Sequence, residues 1–209
     1  SSLRYGFSVR AFSRLLDTVV DEHYDMSFRD AQLTQIVQDV ATQHSEIGVL
    51  HLSTSNSKHA CTLFKKNQLI FTSLFSTVPH VLLREGHPLT QKDFIRLDDL
   101  APYPLIYYDH DPNSCSDQPL FSVLMPKSRL RGEDRSTLVS LLQTTDGYSI
   151  GNGILDKIIH SGLVAIPLTD ITEQIEIGWI KRGDSPLSVM ATQYLENLKK
   201  EIAYALDKQ

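Results

Sequence analysis

Apolar residues recur along this chain at two spacings. Phe12, Leu15, Leu16, Val19 and Val20 stand at i, i+3, i+4, i+7 and i+8, the single stripe of an amphipathic helix. Leu33, Ile36, Val37, Val40 and Ala41 repeat that pattern, with Asp30 placed to cap the helix they predict. Residues 3–7 and 24–28 read as short strands. Residues 47–52 form a run suited to a strand buried on both faces, with Gly48 inside it. The order β-α-β-α-β predicts a parallel sheet with helices packed on it.

Further along, 58–66 predicts a helix and 69–75 a strand. Another strand begins at 81–83 and is ended by Gly86, His87 and Pro88. Residues 105–108 form a short strand that runs into a polar loop over 109–117. A helix over 136–143 carries Leu138, Leu141 and Leu142, with Asp134 or Ser136 as its cap. Residues 163–166 and 175–180 read as strands. The last helix is predicted from Ser185 at the cap and Pro186 at the first helical position, with Leu195, Leu198, Ile202 and Leu206 on its apolar face. Strands and helices alternate throughout, so the fold class is α/β.

Composition narrows the function. Of 209 residues, 41% are hydrophobic and 22% charged, as in a folded globular protein rather than a disordered one. The net charge of −5 argues against a surface that wraps nucleic acid. No apolar run approaches a membrane span, and the opening Ser1, Ser2, Leu3 and Arg4 lack the core of a signal peptide. Two cysteines, Cys61 and Cys115, exclude a disulfide scaffold and fit a reduced, cytoplasmic setting without a membrane partner.

Several segments in order resemble the effector-binding (regulatory) domain of LysR-type transcriptional regulators. They are the opening Leu3, Arg4, Tyr5, Gly6 and Phe7; Glu46, Ile47, Gly48 and Val49; the run from His80 through His87, Pro88 and Leu89; Leu97 through Pro102, Pro104, Leu105 and Ile106; and Gly162 through Pro167 and Leu168. The resemblance covers nearly the whole chain. It implies a two-lobed fold like that of type 2 periplasmic binding proteins, each lobe a mixed sheet flanked by helices, joined by two crossover strands. Lobe I would be 1–82 with 174–209, and lobe II 83–173, crossing near Leu82–Leu83 and near Glu173–Ile175. The family's N-terminal winged helix-turn-helix and linker helix are absent from the sequence. The chain is therefore expected to be the sensing part of a longer regulator.

The same resemblance implies ligand contacts in a cleft between lobes. In lobe I these are Ser8, Val9 and Arg10, at the turn opening the first helix, and Gln32 and Leu33 at the start of the second. Ser8 reads equally as a helix cap. In lobe II they are Tyr107 and Tyr108 at a strand end, Arg135, Ser136 and Thr137 at a helix start, and Tyr148 and Ser149. Arg10 and Arg135 are the cations suited to holding a carboxylate in bidentate fashion. Where the family often writes G-x-G-I-x-x-x-P, this chain has Gly147, Tyr148, Ser149, Ile150, Gly151, Asn152 and Gly153, which either shapes a ligand contact or only bends the chain.

Two other chemistries are suggested and set aside. Gly147, Ser149 and Gly151 spell the G-x-S-x-G of a hydrolase elbow, with Asp156 and His160 following; a helix rather than a strand precedes them, and the three groups crowd within about eleven residues. His110 between Asp109 and Asp111, with Cys115 nearby, matches no zinc spacing. The expected function is thus a non-catalytic sensor without a cofactor, binding a small anionic metabolite as effector. It would shift between lobe arrangements, assemble as a homodimer or homotetramer through the first helix and the 136–143 helix, and act on DNA through the missing domain, with RNA polymerase as a further partner. An exported solute-binding receptor of a transporter is the alternative.

Overall fold

A computed structural model describes residues 1–18, 23–108, 124 and 126–207. In chain order the helices are α1 (Gly6–Ser13), α2 (Leu33–Ala41), α3 (Ser57–Lys66), α4 (Leu97–Leu100), α5 (Arg135–Thr144) and α6 (Val189–Leu206). The strands are β1 (Gly48–Ser53), β2 (Leu69–Thr77), β3 (His80–Arg84), β4 (Leu105–Tyr108), β5 (Arg129–Gly132), β6 (Ser149–Gly151), β7 (Leu163–Pro167) and β8 (Ile175–Arg182). Two compact units emerge. The first is Ser1–Leu52, Ser57–Phe75 and Glu176–Gln209; the second is Ser53–Asn56 and Ser76–Ile175. The division falls inside β2 and at the start of β8.

Unit 1 is built on a sheet of order β1-β8-β2. The two strands expected at 3–7 and 24–28 shrink to single parallel bridges, from Ser2 to Asp30 and from Ser2 to Val49. Helix α1 takes over the rest of the first segment. Phe7, Ala11 and Leu15 form a second apolar row at i, i+4 and i+8, and all three are buried. Leu16, placed by the sequence on the inner stripe, is exposed, while Val19 and Val20 lie outside the described residues. Asp30 is held in its bridge, and the cap position of α2 is Gln32, whose side chain makes no capping bond. Helix α2 buries Leu33, Ile36, Val37 and Val40 against Leu50 and Leu52 of β1 and Ala60 and Phe64 of α3.

Helix α6 begins three residues later than Ser185 and Pro186 suggest. Ser188 is the cap, its Oγ accepting from the Ala191 N–H at 3.1 Å, and the Ser188 N–H and hydroxyl both donate to Glu46. Leu195, Leu198 and Ile202 are buried as the spacing predicts, and Leu206 is exposed. Helix α6 packs against α1.

Unit 2 has a sheet of order β6-β3-β7, with β3 antiparallel to both neighbours, and a parallel pair β4-β5. Strand β4 shows why period-2 alternation matters. Leu105 and Tyr107 join one core cluster with Val81, Leu83, Tyr148 and Ile166, while Ile106 faces Leu138, Val139 and Leu142 of α5. His87 fixes the turn after β3. Its Nδ1 accepts from the Leu89 N–H at 3.1 Å, and its Nε2 donates to the Asp146 carbonyl at 3.1 Å.

Candidate functional site

In unit 1 the residues expected at the first turn face another helix. Ser8 is the third residue of α1, so it does not cap it; the cap position is Tyr5. The Ser8 side chain is wholly buried, its hydroxyl 2.6 Å from the Tyr194 hydroxyl on α6. Burial pushes the Tyr194 phenol well up, and the bond to Ser8 opposes this only in part. Val9 is half-buried. Arg10 sets its Nε 3.1 Å from Glu201, a carboxylate 2% exposed, which Arg14 also holds. Gln32 is half-buried at the start of α2, and Leu33 belongs to the core. Unit 1 also holds an open hollow of about 330 Å³ lined by Phe12, Leu15, Met26, Phe28 and Tyr194 among others; none of the expected contact residues lines it.

In unit 2 the expected residues lie at the end of β4, at the start of α5 and around the start of β6. Tyr107 and Tyr108 end β4, and the register with β5 pairs Tyr107 with Arg131. The Arg131 guanidinium carbon lies 5.8 Å from the centre of the Tyr107 ring, a cation–π contact worth about 0.5–1 kcal/mol where exposed. Arg131 and Arg129 escaped the sequence analysis because 127–132 has only one large apolar residue, Leu130. The available signal was the alternation of Lys127, Arg129 and Arg131, which sets one face of a strand.

Arg135 opens α5, and of the two cap candidates Asp134 and Ser136 it is Asp134 that caps the helix. Asp134 accepts from the Thr137 N–H at 2.9 Å, the Thr137 hydroxyl at 2.7 Å and the Ser136 hydroxyl at 2.5 Å. These bonds hold its carboxyl far below the usual range. The Ser136 and Thr137 hydroxyls therefore donate into the cap. Tyr148 is 1% exposed, its phenol pushed up by burial to about 12. Ser149 is buried within β6, paired with Leu82.

A second polar group lies in the segment 53–56, which joins β1 to α3. The Ser55 N–H and hydroxyl both donate to Oε1 of Glu173, at 2.9 and 3.1 Å. Thr54 and Gln174 exchange two further bonds of 3.3 Å. Asn56 accepts from the Ser53 N–H through Oδ1 at 2.8 Å. This serine-rich stretch carries no charge and no motif that would single it out in the sequence.

The hydrolase geometry is not met. Ser149 sits within a strand rather than on a strand-to-helix turn, and His160 Nδ1 accepts from the Asp156 backbone N–H at 2.9 Å. Among the described residues no group of three metal-ligating side chains occurs, and no helix is long and apolar enough to cross a membrane. Asp109, His110, Asp111, Cys115 and the rest of the 109–117 loop lie outside the described residues.

Residues 7–203 match the family model of the LysR substrate binding domain. The chain belongs to that family. This LysR substrate binding domain is a ligand-sensing regulatory domain of the mixed α/β, type 2 periplasmic-binding-protein-like class. Solved structures share its fold. The effector-binding domain of QuiR, in complex with shikimate, is 15% identical with a TM-score of 0.63, the match covering 99% of this chain and 98% of that one. The effector-binding domain of a BenM variant is 16% identical with a TM-score of 0.66, over 97% and 93%. HinK of Pseudomonas aeruginosa, a LysR family transcriptional regulator, is 16% identical with a TM-score of 0.63; the match covers 92% of this chain and 64% of HinK. No curated protein sequence matches.

Proposed function

We propose that this LysR substrate binding domain senses a small anionic metabolite and has no catalytic activity of its own. The observation that carries the anion is Arg131 stacked on Tyr107 at the end of β4. The exposed Arg131 guanidinium offers a planar carboxylate charge and paired donors, with the buried Tyr107 ring behind it. Arg129, on the same face of β5, adds a second positive charge. Tyr108 and Arg135 stand at the neighbouring strand end and helix start, and extend the proposed ligand surface in unit 2. Shikimate, the molecule bound by QuiR, is a carboxylate of this kind.

In a full-length regulator the bound ligand would act on DNA through a winged helix-turn-helix preceding this sequence, in a cytoplasmic homodimer or homotetramer that contacts RNA polymerase. Membership of the family supports that reading. A thermal-shift screen of carboxylates, shikimate included, tests it. A ligand at 100 times its dissociation constant adds about 2.7 kcal/mol, a plainly raised midpoint. The rise is expected to vanish in Arg131→Ala. A carboxylate that binds Arg131→Ala as tightly as the native chain would move the site elsewhere. Turnover of activated esters would contradict a purely sensory role.

A further inference from the structure

We propose that Glu173 is a built-in competitor for an anionic effector: its carboxylate occupies the 53–56 segment, and an effector carboxylate displaces it. The inference rests on the anion-sensing reading above and adds a second point of contact and its regulation.

The donors come first. One oxygen of Glu173 receives both the backbone N–H and the hydroxyl of Ser55, and the Ser53 hydroxyl lies 2.9 Å from that of Ser55. An N–H and an O–H converging on one carboxylate oxygen is how a bound carboxylate is held. The segment also holds a donor that Glu173 leaves unused. Asn56 is 7% exposed; its Oδ1 is taken by the Ser53 N–H, while its Nδ2 is buried with no acceptor. Buried donors are rarely left so. An occupant with more acceptor atoms than one glutamate oxygen would satisfy it.

The tether comes second. Gln174, next to Glu173, is tied to Thr54 by backbone and hydroxyl bonds. The Glu173 side chain is therefore held beside the segment at high effective concentration. It is half-buried, so it can swing away while the backbone stays in place. A competitor that fills the site nine-tenths of the time weakens the apparent affinity of any other carboxylate about tenfold.

The test follows the Ser55 amide signal by proton–nitrogen NMR while sodium acetate or shikimate is added to the native chain and to Glu173→Ala, which removes the competing acceptor. In Glu173→Ala the signal is expected to saturate at about one tenth of the concentration the native chain needs. Additional replacement of Ser55 by alanine should return the variant to weak binding, read from the thermal midpoint. Saturation at equal concentrations in the two chains, or no movement of Ser55 in Glu173→Ala, overturns the proposal. If shikimate raises the midpoint while Ser55 stays still, the competitor fails and the anion-sensing reading stands. If no carboxylate binds either chain, both fail.

Discussion

Arg10 Nε stands 3.1 Å from a carboxylate oxygen of Glu201, and Arg14 approaches the other oxygen of the same buried group. A carboxylate 2% exposed needs such partners, because leaving it charged and alone in the interior is costly. The cation that the sequence offers to a ligand thus has a structural task in joining α1 to α6.

Removing both arginines should show that task. Arg10→Ala with Arg14→Ala leaves Glu201 buried without its two cations, and urea denaturation is expected to show a loss of about 3–5 kcal/mol. Either single variant should cost less, since one partner remains. A double variant as stable as the native chain would mean that Glu201 is solvated.

The Ser8 and Tyr194 hydroxyls form a buried bond in the same seam. Tyr194→Phe deletes one partner and strands the other, and should cost about 1–3 kcal/mol. Tyr194→Phe with Ser8→Ala is expected to recover part of that loss, which a double-mutant cycle in urea measures.

Stability should fall on acidification. Burial lowers the pKa of His80, His87 and His160 below the ordinary value of 6.5, with Arg135 adding to the effect at His160. Below about pH 6.5 the unfolded chain therefore takes up protons that the folded chain refuses. The contribution is fully present above that pH and is lost as the pH falls toward the folded values. At His87 burial is the main cause, and Nδ1 can accept from the Leu89 N–H only while it is unprotonated. Urea midpoints at pH 7 and pH 5 should show the drop, and His87→Asn should reduce it.

Gly178 and Gly162 should respond differently to alanine. A Cβ at Gly178 would meet the Phe71 ring and the Thr72 carbonyl oxygen of β2, and a sheet backbone cannot step aside. Gly178→Ala should cost about 1–3 kcal/mol. At Gly162 nothing lies within 4 Å, but φ is +73°, a conformation that favours glycine. Gly162→Ala should therefore cost only about 1 kcal/mol. Thermal melts of both variants decide the order.

Much of the architecture is determined by the sequence alone. The spacing of Leu33, Ile36, Val37 and Val40 predicts α2, the apolar run at 47–52 predicts β1, and Asp134 and Ser136 narrow the cap of α5 to two residues, because local spacing and capping are local physics. Ordered motifs across the chain point to the family that 7–203 matches. Tertiary structure decided what local pattern leaves degenerate. The first segment can present either Phe12, Leu15 and Leu16 or Phe7, Ala11 and Leu15, and packing against α6 selects the second row. The same choice turns Ser8 and Arg10 toward Tyr194 and Glu201, nearly two hundred residues away in sequence. Arg131 meets Tyr107 only through the register of β4 with β5, and Glu173 meets Ser55 only because two distant segments lie side by side. Side-chain partners across the fold depend on burial and register, which periodicity in one segment does not encode.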